Sequence, residues 1–149
     1  MVEELFGSEK VMSKKGGLVT PQEAFGKAKV IAIYFSMHTC PPCRQFTPVF
    51  ADIYNELIES GNTDLEVIFC SGDKTEELYN EYYGEQPWLA LPFKDARLAT
   101  LAKQFEVRGV PRLIVVNKET GEVIEQNGVQ KVLMGGPPVI EEYIEKASK

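Results

Sequence analysis

Nowhere does the sequence hold an apolar run of the roughly 18 to 20 residues that would span a membrane, so no transmembrane segment is expected. Basic residues are also scarce. Lysine and arginine number 16 against 22 acidic residues, giving a net charge of -6 and a pI near 4.9. Binding to a phosphate backbone draws its affinity from clustered cations, so nucleic acid is not an expected partner. The opening "MVEELFGSEK" carries acids early and lacks the basic-then-apolar pattern of a signal peptide. A cytoplasmic location follows as the expectation. Cysteine is limited to three, an odd count unlike the even framework of a small secreted fold. With a single histidine, a tetrahedral zinc site would need Cys40, Cys43, Cys70 and His38 all to converge. No second C-x-x-C is present, and Cys70 sits within the apolar run "EVIFCS", so no metal is expected. Repeats, low-complexity tracts and linkers are missing too. A chain of 149 residues can bury one good core and is short for two, which suggests a single domain over residues 1–149.

What is present alternates. Thr20 and Pro21 in "GLVTPQEAF" offer an N-cap and a first helical residue whose missing N–H costs nothing. "KVIAIYFS" (29–36) is a nearly continuous apolar run, the pattern of a strand covered on both faces. From Pro41 to Glu59, the residues Phe46, Val49, Phe50, Ile53, Leu57 and Ile58 fall near helical spacing, with a kink expected at Pro48. "LEVIFCSG" (65–72) reads as a second buried strand, and strand-helix-strand connectivity predicts parallel pairing. Helices are expected in "TEELYNEYY", "DARLATLAKQF" and the terminal "PPVIEEYIEKASK". "EQPWLALPF" reads as an extended connection or short strand, "GVPRLIVVN" (109–117) as a strand, and "EVIEQNG" as its antiparallel partner across the turn "KETG". The sum is a small α/β domain, a mixed sheet with helices on both faces.

The chemistry concentrates in "YFSMHTCPPCRQF" (34–46). Cysteines three apart on a helix share one face, so Cys40 and Cys43 can form a reversible disulfide with only local adjustment. Cys40 falls where the helix begins, and the free N–H groups and dipole there favour a thiolate. Neither Pro41 nor Pro42 has an N–H, so the first donors open to the Cys40 sulfur are Cys43 and Arg44. Such settings lower a thiol from about 8.5 to roughly 3.5–7.5, and Arg44 adds positive charge. Cys40 is the expected attacking thiol and Cys43 the resolving one. A purely structural disulfide would close only a tiny loop and gain little from it.

"YFSMHTCPPCRQFTPVF", "LEVIFCSGDKTEE", "PWLALPF" and "VRGVPRLIVV" follow one another in the order and spacing of a known group. Over residues 28–128 the chain resembles the tryparedoxin and nucleoredoxin branch of the thioredoxin superfamily. That resemblance implies a thioredoxin-like fold, a central mixed sheet flanked by helices, with thiol-disulfide exchange at Cys40 and Cys43. It also implies that Pro111 is cis and faces the sulfurs, with the Val110 backbone offering strand-like hydrogen bonds to a substrate segment. No cofactor beyond the redox-active disulfide is expected. A tryparedoxin-like role implies electrons from a low-molecular-weight dithiol such as trypanothione, or from a flavoprotein reductase, passed to peroxidases or other protein disulfides. The alternatives are a nucleoredoxin-like reductase and a redox-sensitive binding module with weak turnover. One position departs: that branch usually has tryptophan before the first cysteine, where this chain has Thr39. A flat apolar border to the site is lost, which bears on partner choice. Gly72 likewise stands ahead of Asp73 where tryparedoxins often carry an aromatic.

Auxiliary roles attach to a few residues. The Tyr34 phenol could assist proton transfer near the buried thiol or simply be core. His38 could donate to the thiolate or face solvent without a role. Trp88 reads as a packing residue near the site, and Cys70 as a small buried hydrophobe. Asp73, Glu76 and Glu77 read as acids capping a helix start.

Overall fold

Residues 2–14 and 17–148 are described by the computed structural model. The elements run α1 (Val2–Phe6), β1 (Val11–Ser13), β2 (Gly17–Val19), α2 (Pro21–Phe25), β3 (Val30–Ser36), α3 (Pro41–Glu59) and β4 (Leu65–Ser71). They continue with α4 (Glu76–Gly84), β5 (Leu89–Ala90), α5 (Ala96–Gln104), β6 (Arg112–Asn117), β7 (Val123–Glu125), α6 (Gly128–Gly135) and α7 (Pro137–Ala147). The strands form one mixed sheet in the order β2-β1-β5-β4-β3-β6-β7. β3 lies at its centre of packing, parallel to β4 and antiparallel to β6. β7 pairs antiparallel with β6, as the "KETG" turn suggests.

All seven residues of β3 are buried, which explains why its sequence is apolar without alternation. Its two faces feed two cores. Val30, Ala32 and Tyr34 pack with side chains of α3, α4, α6 and α7. Ile31, Ile33 and Phe35 pack on the opposite face with Leu5, Phe6, Phe25 and Leu101 from α1, α2 and α5. The Thr20 hydroxyl accepts the Glu23 N–H at 3.3 Å, so α2 begins where its cap and proline place it. α3 spans the expected residues and runs unbroken through Pro48. Its buried stripe is rotated from the expected one: Val49 (41% exposed) and Ile58 (37%) face outward, while Thr47, Ala51 and Tyr54 turn inward. The reason is lateral cover, since α4 roofs the Thr47 side and brings Tyr82 against it.

The α1 helix, the β1-β2 pair and α6 carried too short a pattern to be anticipated. Arg97 secures the first of these. Its guanidinium donates to the carbonyls of Phe6, Glu9 and Lys10, each at 2.8 Å, while pairing with Asp95. The Arg97 hydrogen bonds in turn hold the Asp95 carboxyl below the usual carboxylate range. Among the described residues, no helix is long and apolar enough to cross a membrane.

Candidate active site

β3 ends at Ser36, three residues of loop follow, and Cys40 becomes the N-cap of α3 with extended backbone (φ -95°, ψ 111°). This is the position where helix N–H groups lack partners. The Cys43 N–H points at the Cys40 sulfur, 3.3 Å away. The Arg44 N–H, also expected to serve the sulfur, instead meets the Cys40 carbonyl oxygen at 3.1 Å. An N-cap carbonyl already accepts the first intrahelical bond, so that donor is taken. Cys40 and Cys43 are joined as a disulfide, with Cα atoms 5.2 Å apart. Cys40 is half-buried and Cys43 has no exposure. Pro41 and Pro42 cover the outer side of the turn and are exposed. Across from them, the Val110 carbonyl oxygen lies 3.8 Å from the Cys40 sulfur, and the Val110–Pro111 peptide is cis. Thr39 is exposed beside the pair.

Arg44 and His38 face another way than the sequence suggested. Arg44 Nη1 donates to His38 Nδ1 at 2.6 Å and lies 3.9 Å from Glu85. An arginine can only donate, so His38 Nδ1 accepts and its Nε2 carries the proton, which faces Glu81 at 3.2 Å. Both ring nitrogens are thereby engaged, one by Arg44 of α3 and one by Glu81 of α4, and the imidazole does not donate to the Cys40 sulfur. The guanidinium charge is likewise drawn toward α4, whereas the sulfur sits toward Val110 on the β6 side of β3. The His38 ring rests on Tyr82, with centroids 5.5 Å apart.

Asp73 is not a helix cap. Thr75 fills that position, its hydroxyl accepting the Leu78 N–H at 3.2 Å. Asp73 is buried and reaches back to the motif: Oδ1 accepts the His38 N–H at 2.6 Å and Oδ2 accepts the Ser71 hydroxyl at 2.7 Å. The loop before Cys40 is thus stapled to the end of β4. Asp73→Ala leaves the buried Ser71 hydroxyl and the half-buried His38 N–H without this acceptor and should lower unfolding free energy by about 1–3 kcal/mol, read from urea denaturation. A loss within experimental error would mean that water replaces the carboxylate freely.

Tyr34 lies fully buried among the rings of Phe46, Phe50, Phe69 and Trp88. Burial, with the neighbouring Tyr82 second, pushes its phenol well above the ordinary tyrosine range, so at neutral pH it keeps its proton. Its hydroxyl pairs with Thr47 Oγ1 at 2.6 Å. Trp88 is a core residue: it is 1% exposed, and its Nε1–H donates to Gln86 Oε1 at 2.9 Å. Cys70 is free and buried in the core on the other sheet face, where burial pushes its thiol up and keeps it protonated. Sequence reasoning missed Ser36, Thr47 and Tyr82, whose hydroxyls meet beneath α3. The signal for Thr47 was its place four residues after Cys43, on the same helix face.

A family model described as thioredoxin-like matches residues 26–123. The chain belongs to the thioredoxin-like family. Within that family it stands in the tryparedoxin and nucleoredoxin branch. This thioredoxin-like chain is similar to probable nucleoredoxin 1 of Arabidopsis thaliana, 42% identical over 126 residues, which are 85% of this chain and 21% of that protein. It is similar to tryparedoxin of Trypanosoma brucei brucei, 37% identical over 130 residues, 85% of each. Native tryparedoxin I of Crithidia fasciculata superposes on it with a TM-score of 0.80 at 33% identity, covering 91% of this chain and 92% of that one. The thioredoxin-like chain thus spans about a fifth of the length of the plant nucleoredoxin and most of a tryparedoxin.

Proposed function

We propose that this domain is a thiol-disulfide oxidoreductase that reduces protein disulfides, with Cys40 as nucleophile and Cys43 as resolving thiol. One observation carries this: the half-buried Cys40 sulfur caps α3 and meets the Cys43 N–H, while Cys43 lies sealed beneath it. In the reduced protein the Cys40 thiolate attacks one sulfur of a substrate disulfide, forming a mixed disulfide and expelling the other sulfur as a thiolate. Cys43, after losing its proton, then attacks the Cys40 sulfur. The Cys40–Cys43 bond forms, the second substrate sulfur leaves as a thiolate, and both released thiolates take up protons. Two electrons have passed from the protein to its substrate. The half-buried backbone at Val110, beside Pro111, is suited to align an extended substrate segment along the sulfurs. The disulfide itself is the redox group, and no other cofactor enters.

Likeness to tryparedoxin over most of both chains supports a tryparedoxin-like circuit. In it, a small dithiol such as trypanothione, or a flavoprotein reductase, returns the electrons, and a peroxidase or another cytoplasmic protein takes them. Higher identity to a nucleoredoxin supports a nucleoredoxin-like protein-disulfide reductase as the second reading. The exposed Thr39 favours a third, a redox-sensitive binding module, because no ring borders the sulfur there.

Turnover separates these. Chemically reduced protein should reduce insulin disulfides, and Cys43→Ser should remain covalently joined to its substrate because the resolving thiol is gone. Nonreducing gels and mass spectrometry would show the adduct at Cys40. A wild-type protein that reduces no disulfide with any donor would sink the enzyme reading in favour of the binding module. Recovery of activity with trypanothione, and not with a flavoprotein reductase alone, would favour the tryparedoxin circuit.

A further inference from the structure

A buried chain of hydroxyls lies under the first turn of α3. Tyr34 Oη is 2.6 Å from Thr47 Oγ1, which is 2.5 Å from Tyr82 Oη, and Ser36 Oγ is 2.6 Å from Tyr82 Oη. Tyr82 Oη also reaches the carbonyl oxygen of Cys43 at 3.4 Å. Each hydroxyl has one proton to donate. An arrangement in which each proton is used has Tyr34 donating to Thr47, Thr47 and Ser36 donating to Tyr82, and Tyr82 donating to the Cys43 carbonyl. All these side chains are buried, so a hydroxyl proton left without an acceptor would carry a free-energy cost. Tyr82 is the hydroxyl that carries this cluster to the carbonyl of the resolving cysteine.

The turn beside this bond lacks one helical tie, because Pro48 removes the N–H that would meet the Arg44 carbonyl. The Arg44 side chain is occupied by His38, whose ring packs on Tyr82. Tyr82 thus touches the Cys43 turn through its hydroxyl and the loop before Cys40 through its ring.

We propose that Tyr82 is a positioning residue for the resolving step, an inference that rests on the exchange chemistry proposed above. In that step Cys43 displaces the substrate thiolate from the Cys40 sulfur, a displacement that needs the attacking sulfur aligned with the breaking bond. Cys43 has no solvent contact and cannot search for this alignment, so the rotation of its helical turn sets it. The Tyr82 hydroxyl, anchored by Ser36 at the end of β3, fixes that rotation.

The test uses the reduced protein mixed with a disulfide-bonded peptide, quenched with acid over time and assayed for the mixed disulfide at Cys40. In Tyr82→Phe the mixed disulfide should persist about tenfold longer than in wild type, corresponding to ~1.4 kcal/mol on the resolving barrier. The alkylation rate of Cys40 should stay unchanged. Tyr79→Phe is the control: on the same helix it loses a buried hydroxyl bond, to the Leu91 carbonyl at 2.9 Å, far from the motif. It should lose comparable stability without accumulating mixed disulfide. Should Tyr82→Phe fail to fold, Thr47→Val removes a donor to the same hydroxyl and should give a smaller accumulation. Wild-type resolution in Tyr82→Phe, or in Thr47→Val where that variant is used, overturns the positioning role and leaves the exchange chemistry standing, as does equal accumulation in Tyr79→Phe. A wild type that never forms the mixed disulfide overturns both.

Discussion

Cys40→Ser should abolish insulin reduction, by a factor on the order of 10³ or more, while leaving the fold intact. The sulfur is half-buried at a helix cap, and a serine hydroxyl is close to it in size and can still accept the Cys43 N–H. What serine cannot supply is an anion at neutral pH, and the anion is the nucleophile. Cys43 cannot substitute for it, because it has no exposure and no substrate sulfur can reach it. The matching measurement on reduced wild type is iodoacetamide alkylation at pH 7, where one thiol should react faster than free cysteine and the label should map to Cys40. Residual turnover in Cys40→Ser above a few per cent, or a label that maps to Cys70, would overturn the assignment of the nucleophile. Cys70 lies in an apolar core that disfavours its thiolate, so labelling there would require local unfolding.

Phe50→Ala is expected to cost about 3–5 kcal/mol of unfolding free energy, the range for emptying a large aromatic from a core. Phe50 has no exposure and stands among Trp88, Phe46 and Tyr34, with ring centroids 5.1, 5.4 and 6.2 Å away. These rings come from α3, β3 and the segment before β5, so no single element can relax to fill the hole. Urea denaturation followed by Trp88 fluorescence reads both the loss and the change around the indole, and a shift below about 1 kcal/mol would mean that the core collapses onto the cavity. The same variant tests the link to the site, because Phe50 and Cys43 share the inner face of α3.

The parts of the fold that were legible are those whose burial is complete or whose helix is long. β3 and β4 read as strands because both of their faces are covered, and α3 because its stripe runs for five turns. The three-residue strands β1 and β2 and the five-residue α1 give too few positions for any period to emerge. Beside the burial of Leu5 and Phe6, α1 is held by Arg97, about ninety residues downstream, a contact that no local pattern announces. In the site, the cysteine pair and the prolines were legible because their chemistry depends on spacing along one chain segment. The acids that engage His38 and Arg44 were not, because Asp73, Glu81 and Glu85 lie far along the chain, on α4 and the loops at its two ends, and only the fold brings them beside the motif. Charge alone suggested that Arg44 would serve the sulfur and left His38 open between that role and none, and acids on α4 and at its end draw both toward themselves. Tyr82 read as one more aromatic in "TEELYNEYY", and only its burial next to Thr47 and Ser36 gives its hydroxyl a purpose.

A strand wrapped in hydrocarbon above and below has no greasy side and wet side to tell it which way up to lie. If β3 slid by one residue against its neighbours, Ile33 and Phe35 would exchange faces with Tyr34 and Ser36, and the ring contacts of Tyr34 would be lost. So would the hydroxyl bonds, because Thr47 and Tyr82 wait on one side of the sheet only. Ring shape and a handful of oxygen atoms thus oppose the slip together, and with it any change in where the following loop delivers its sulfur.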